Sequence, residues 1–503
     1  MYQVYPRSFA DTDGDGVGDL EGVRQRLDHL AWLGVDAVWL SPFYRSPMAD
    51  FGYDVEDFCD VDPLFGDLDA FDRLLSDAHA LGLRVLVDLV PNHTSDRHRW
   101  FQAAQSSRDN PFRNWYVWRD PTPDGNPPNN WRAAFIDGPA WTFHDATGQW
   151  YLHQFLPEQP DLNWEEPAVV EAMHDVMRFW LDRGVDGFRI DVVHCIGRDP
   201  ALPDDAPPWD QIPHCASNEH PSTHEHIRAM RRLVDTYPGD RVLVGETALP
   251  GTGWVAPYYG DGDELHLAFN FAVTHAPWEA GAWNRRIERV VEELGPRRAW
   301  PTWVLSNHDV PRHRTRYGGS EGRARAAAVA YLTQRGTPVL YAGEELGLED
   351  SAVPPNRIVD PGGRDGCRAP LPWEVEAPHG WGSHPWLPFP PDAPARSVEA
   401  QRDDPDSVLH LYRRILAARR ASPALQLGEM EMVPTPSGVL GWHRRHTGDD
   451  GAVDHRIVLV NFTADDTPVD VDGFVEVASD GYGEGDRFDG RLAGGRAVIL
   501  RPV

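Results

Sequence analysis

Lysine is missing altogether: all 47 basic residues are arginines. That excludes Schiff-base catalysis through a lysine amine, and it excludes a P-loop, whose lysine grips phosphates. Cysteine is scarce. The 4 present, Cys59, Cys195, Cys215 and Cys367, form none of the close pairs of a zinc site or thiol redox motif. Buried thiols in a reducing cytoplasm are therefore expected. No run of about 20 apolar residues occurs, so no membrane span is expected. A strand pattern begins at the second residue, so no secretory leader is expected, and the expected location is cytoplasmic. Positive charge is outweighed, with 78 acidic residues, a net charge of -31 and a pI near 5.0. Nucleic acid and anionic membrane are thereby disfavoured as partners, and a neutral substrate is favoured.

What is present is an alternation. Amphipathic helices carry apolar residues three or four apart, as in Leu20, Val23, Leu27, Leu30 and in Phe71, Leu74, Leu75, Ala78. Helices stop at Gly34, Gly82 and Gly184, and a strand follows each. Candidate strands are Tyr2 to Tyr5, Ala37 to Leu40, Arg84 to Leu89, Gly187 to Ile190, Val242 to Gly245, Leu265 to Phe271, Trp303 to Ser306 and Val339 to Tyr341. Alternating β and α elements imply a parallel sheet. Eight such strands fit a (β/α)8 TIM barrel, an α/β fold with its chemistry at the C-terminal strand ends. An open doubly wound sheet is the alternative.

The chain, at 503 residues, exceeds one simple barrel. Residues 94–164, rich in Trp, Pro, Asn and Asp, are too long for a βα loop and are expected to form a substrate-binding lobe inserted after strand 3. A second irregular stretch, 348–396, follows the eighth strand. Beyond a helix at Val408 to Arg420, alternating strands at Val439 to Trp442, Ile457 to Val460, Phe474 to Val477 and Ala497 to Leu500 predict a C-terminal antiparallel, sandwich-like β domain. The expected division is thus 1–93 and 165–423 for the barrel, 94–164 for the lobe and 424–503 for the β domain.

Four strands end in polar residues: Asp88 through His93, Arg189 and Asp191, Glu246, and Asn307-His308-Asp309. At the mouth of a barrel these would converge. Glycoside cleavage needs one carboxylic acid to protonate the leaving oxygen and one carboxylate to attack the sugar carbon. Arg189, two residues before Asp191 and on the same strand face, could hold that Asp ionised. The bland reading, a salt-bridged barrel core, requires four strand ends to carry such residues without purpose.

These motifs, with Gln159-Pro160-Asp161-Leu162-Asn163, resemble the α-amylase superfamily, glycoside hydrolase family 13, over essentially the whole chain. The resemblance implies Asp191 as nucleophile, Glu246 as general acid/base and Asp309 as a third carboxylate gripping the sugar, with His93, Arg189 and His308 binding the ring. It further suggests the oligo-1,6-glucosidase and α-glucosidase branch, acting on small oligosaccharides or disaccharides. There Tyr53 resembles a sugar-stacking platform, and Asp50 paired with Arg368, or with Arg364, resembles a clamp behind a terminal glucose. Phe155 and Gln159 match positions near that pocket, with core packing an equal reading for Phe155. Val192 resembles enzymes that cleave α-1,6 bonds. His194 reads as structural more than substrate-contacting, and Thr247 leaves the acceptor side open. A retaining mechanism would place the Asp191 and Glu246 carboxyls ~5–5.5 Å apart. Transfer or isomerisation on the same site, as in trehalose synthase or sucrose isomerase relatives, is the competing activity. A transporter heavy-chain ectodomain is disfavoured, because all three acids are present.

Asp11, Asp13, Asp15, the Val17 carbonyl and Asp19 offer hard oxygen ligands at alternating positions with turn glycines between them. Gly22 stands where an EF-hand has its closing Glu. The expectation is a structural calcium loop, with magnesium the alternative ion and no organic cofactor.

Overall fold

The computed structural model describes residues 1–205, 219–249, 251–382 and 384–503. At its centre is an 8-stranded parallel sheet: β1 (Tyr2–Val4), β2 (Ala37–Leu40), β3 (Arg84–Leu89), β4 (Gly187–Ile190), β5 (Val242–Gly245), β6 (Leu267–Ala268), β7 (Thr302–Val304) and β8 (Thr337–Tyr341). Every strand lies beside its sequence neighbour from β1 to β6, β7 pairs with β8, and β8 pairs with β1. That order makes a barrel and excludes the doubly wound alternative.

The ring closes between β6 and β7 through one hydroxyl. Thr302 Oγ1 donates to the Ala268 carbonyl at 2.7 Å and accepts from the Asn270 amide at 3.1 Å. Strand β6 is accordingly only 2 residues long where Leu265 to Phe271 was expected, and β7 starts at Thr302 and ends at Val304 rather than running to Ser306. Helices Leu27–Leu33 and Pro167–Arg183 stop at Gly34 (φ 96°) and Gly184 (φ 102°), in the left-handed conformation that glycine adopts without a Cβ penalty. Gly187 has a different reason, since a Cβ there would meet the Val242 carbonyl oxygen of β5 at 2.0 Å. The expected helix through Leu20 and Leu30 is instead two, Leu20–Gln25 and Leu27–Leu33. They part at Arg26, whose guanidinium lies 4.6 Å from the centre of the Trp373 ring.

The stretch after β3 builds a helix, Arg99–Ser106, and a 3-stranded antiparallel sheet with a small core around Trp131, Trp141 and Leu152. Asp161 ties this lobe to the loop after β4. It accepts from the Gln154 amide (3.0 Å) and side chain (2.9 Å) and from Arg198 (2.9 Å). At the C-terminus β9 (Glu429–Met432), β10 (Val439–Thr447), β11 (Val453–Asn461), β12 (Phe474–Ala478) and β13 (Ala497–Arg501) form a 5-stranded antiparallel sheet. One face, with Trp442, Val458, Val460 and Ile499, joins the barrel core, and the other packs on a short two-stranded ribbon through Val469 and Leu492. The sequence pattern missed β9, whose Glu-Met-Glu-Met run is half exposed. No helix among the described residues is long and apolar enough to cross a membrane.

Candidate active site

Arg189 is the hub of the barrel mouth. Its register partner on β3 is Asp88, and its NH1 donates to Asp88 Oδ1 (2.9 Å) and to Asp191 Oδ1 (2.7 Å), while NH2 donates to Glu246 Oε2. Trp39 Nε1 adds a donor to Asp88 at 3.1 Å, and the guanidinium carbon lies 4.8 Å from the Trp39 ring centre. Three buried carboxylates thus share one cation. Burial, opposed by Arg189 and reinforced by the neighbouring acids, pushes Asp191 well above the usual carboxylate range and Asp88 up to about 7. The cluster therefore holds a proton more readily than free carboxylates do.

The Asp191 and Glu246 carboxyls approach within hydrogen-bonding distance of each other, and Arg189 holds both. Val192, next in the chain, has φ 32° and ψ 46°, a strained region for a β-branched residue. That turn directs its N–H toward Glu246 Oε2 at 3.3 Å.

A second cluster stands opposite. Arg364 NH2 donates to Asp50 Oδ1 (2.6 Å) and NH1 to Asp309 Oδ1 (3.0 Å). Arg368 donates to the same Asp309 oxygen (3.1 Å), and both arginines hold buried Asp360. This corrects the preferred pairing of Asp50 with Arg368. The two arginines lie on one 3-10 turn, Asp365–Arg368 and its cap, and that turn aims Arg364 at Asp50 while Arg368 runs back to the His308 carbonyl and Asp309. Burial opposes ionisation of Asp309. His308 and the arginines nonetheless hold its carboxyl well below the usual range, and since burial pushes His308 down to about 3, the arginines carry the effect at neutral pH.

His308 is fixed on every side. Gln3 Nε2 donates to Nδ1 at 2.7 Å, so Nε2 carries the hydrogen and meets the Tyr53 hydroxyl at 2.6 Å. Its ring is stacked on Tyr53, with centroids 5.3 Å apart and planes 4° apart, and on Tyr5, with centroids 5.8 Å apart. Gln159 Nε2 donates to Asp50 Oδ2 and touches His93 Nε2, both at 3.1 Å, and His93 packs on Phe155.

One cavity, with about 350 Å3 of free space including its mouth, is lined by Asp50, Tyr53, His93, Phe135, Phe155, Asp191, Val192, Glu246, Asp309 and Arg364. The three expected catalytic acids thus face one space. Of the other expected residues, Asp50, Tyr53, His93 and Phe155 line it, while Gln159, Arg189, His308 and Arg368 stand behind and position them. Phe135 was not foreseen; its ring covers Arg364 with the guanidinium carbon 4.3 Å from the centroid. His194 is buried, pushed down to about 4 by that burial, with Nδ1 3.4 Å from the Glu246 carbonyl. Thr247 turns inward and donates to the Phe269 carbonyl at 3.1 Å. Cys195 and Cys367 are buried free thiols, Cys59 is half-buried, and Cys215 lies outside the described residues.

In the acidic loop, carboxylate oxygens of Asp11, Asp13 and Asp15 gather within 4.8 Å of one another. Asp19 does not join that group: one oxygen accepts from the Gly22 amide (2.6 Å) and the other from the Thr12 amide and hydroxyl (both 2.8 Å). Asp11 also accepts from the Gly382 amide (2.9 Å), which ties the loop to the segment after β8.

The alpha amylase catalytic-domain family matches residues 3–428. A probable alpha-glucosidase of Rhizobium meliloti (strain 1021) is 43% identical over 481 residues, which cover 89% of this chain and 86% of the relative. An oligo-1,6-glucosidase of Parageobacillus thermoglucosidasius is 35% identical, with 93% and 90% covered. Among solved structures, the alpha-glucosyl transfer enzyme XgtA superposes with a TM-score of 0.90 at 40% identity, covering 99% of this chain and 98% of that one.

Proposed function

The chain belongs to the alpha-amylase family, and from that premise we propose that it is an exo-acting, retaining α-glucosidase. It releases α-glucose from the non-reducing ends of short α-1,4- or α-1,6-linked glucosides. The observation that carries this reading is that Asp191, Glu246 and Asp309 line one cavity together with the Asp50–Arg364 ion pair at 2.6 Å. A pocket closed at one end by that ion pair admits a chain end rather than a chain interior.

In the first step Glu246 gives its proton to the glycosidic oxygen while the Asp191 carboxylate bonds to the anomeric carbon and the leaving sugar departs as an alcohol. With the proton on Glu246, Asp191 keeps its Arg189 hydrogen bond and is anionic. Water then attacks the same carbon, gives its proton to Glu246 and frees glucose with the α configuration kept. The closeness of the two carboxyls favours retention over inversion, which needs a separation of about 6.5–9.5 Å to seat a water. Tyr53 supplies a ring face to the sugar, and Asp309, kept ionised by Arg364 and Arg368, accepts from its hydroxyls. In this reading the 94–164 lobe supplies Phe135 and Phe155 to the pocket wall, and residues 424–503 buttress the barrel.

Asp11, Asp13 and Asp15, with the Val17 carbonyl, suit a calcium ion, since hard oxygen donors converge and burial and mutual repulsion raise the Asp15 carboxyl. Asp19 organises the loop from outside that triad. The ion would offset the clustered charge and pin the loop to Gly382.

A second reading, glucosyl transfer, is favoured by the 40% identity to XgtA. Rates on maltose, isomaltose, sucrose and trehalose, with products identified at high substrate, test both. Predominant free glucose supports hydrolysis, new disaccharides support transfer, and inertness toward every α-glucoside overturns the reading.

A further inference from the structure

Asp50, which lines the catalytic pocket and meets Arg364, sits on a turn that the chain adopts at a cost. Met48 (φ 66°) and Phe51 (φ 47°) flank it, both in the left-handed region and neither a glycine. Such strain persists where the surrounding contacts over-determine the backbone. Here those contacts converge on one carboxylate, that of Asp54.

Asp54 is fully buried. Its Oδ1 accepts from the Asp50 amide (2.9 Å) and the Ser46 hydroxyl (2.8 Å), and its Oδ2 accepts from the Ala49 amide (2.8 Å). The Ser46 oxygen accepts in turn from the Met48 amide at 3.0 Å. The N–H groups of Met48, Ala49 and Asp50, successive in the chain, thus all lead to Asp54, the last two directly and the first through a hydroxyl. No arginine or histidine pairs with this carboxylate among the described residues, and burial pushes it up to about 6 against the pull of its donors. An acid buried without a cation is costly unless its hydrogen bonds are made, and removing it would leave the Ala49 and Asp50 amides without their acceptor. Asp54 does not itself line the pocket, so whatever it contributes there passes through Asp50.

We propose that Asp54 is a positioning residue for sugar binding: its carboxylate fixes the strained turn so that Asp50 stands in place, between Arg364 and Gln159, to meet the terminal sugar. The inference rests on the glucosidase reading of the pocket.

The test is a double-mutant cycle on kcat/KM for maltose. Asp54→Ala should lower it about 30-fold when Asp50 is present, but by about threefold or less in an Asp50→Ala background, where the group it positions is gone. An equal factor in both backgrounds overturns the proposal, because the carboxylate would then serve the barrel as a whole. Should Asp54→Ala fail to fold, Asp54→Asn carries the same cycle. It keeps an acceptor for Asp50 and Ser46 while losing the one for Ala49, and about a tenfold loss is expected. Hydrogen exchange read by mass spectrometry does not depend on turnover. In whichever variant folds, residues 46–54 should exchange about tenfold faster while the barrel strands stay as in the wild type, and unchanged exchange over 46–54 overturns the proposal. Should no α-glucoside be turned over, the glucosidase reading fails separately, and the exchange rates still decide whether Asp54 holds the turn.

Discussion

Two carboxylate clusters face each other across the pocket with different ratios of charge. Around Arg189, Asp88, Asp191 and Glu246 share one guanidinium, whereas Asp50, Asp309 and Asp360 share two, from Arg364 and Arg368. Burial opposes ionisation on both sides. One arginine does not overcome it, and Asp88 and Asp191 are pushed up; two do, and Asp309 and Asp360 are held down. The side whose carboxyls are pushed up is suited to acid–base chemistry, and the side whose carboxyls are held down is suited to holding hydroxyls. A third cluster, Asp11, Asp13 and Asp15, has no arginine paired to it among the described residues and suits a metal cation instead.

Removing the nucleophile should have the largest effect. Asp191→Ala is expected to lower kcat by on the order of 10^4-fold or more, with an unchanged circular dichroism spectrum; substantial residual turnover would assign the nucleophile elsewhere. Arg189→Met strips three buried acids of their shared cation and should cost roughly 3–5 kcal/mol in urea unfolding. Arg364→Ala should open the sealed end, lowering kcat/KM on maltose by about 100-fold and shifting preference toward longer chains. Arg368→Ala, which leaves the Asp50–Arg364 pair in place, should reduce kcat without that shift. The smallest effect belongs to the arginine-free cluster. Chelation should lower Tm by a few degrees while kcat/KM at 25 °C stays the same, and a Tm indifferent to both chelator and added calcium would remove the metal from the account.

The barrel was legible because helix and strand periods differ and because polar residues closing buried strands have few structural reasons to recur. Asp191, Glu246 and Asp309 were placed by that argument together with the family resemblance. What escaped was set by tertiary geometry. Arg364 and Arg368 sit on one tight turn, and only the direction of that turn decides which meets Asp50. Phe135 lies in a loop with no period to mark it, although an aromatic residue among prolines and glycines over a barrel mouth was a usable hint. The shortness of β6 follows from a Thr302 hydroxyl that replaces ladder bonds, which no strand pattern encodes.

The pH dependence of kcat/KM on an activated aryl α-glucoside, compared between wild type and Glu246→Gln, tests the central claim most directly. The wild type should show a bell, its alkaline limb marking loss of the proton that the general acid must give to the leaving oxygen. Glu246→Gln should lose the alkaline limb and keep the acid one. An alkaline limb unchanged in Glu246→Gln would contradict the assignment of that proton to the Arg189 cluster.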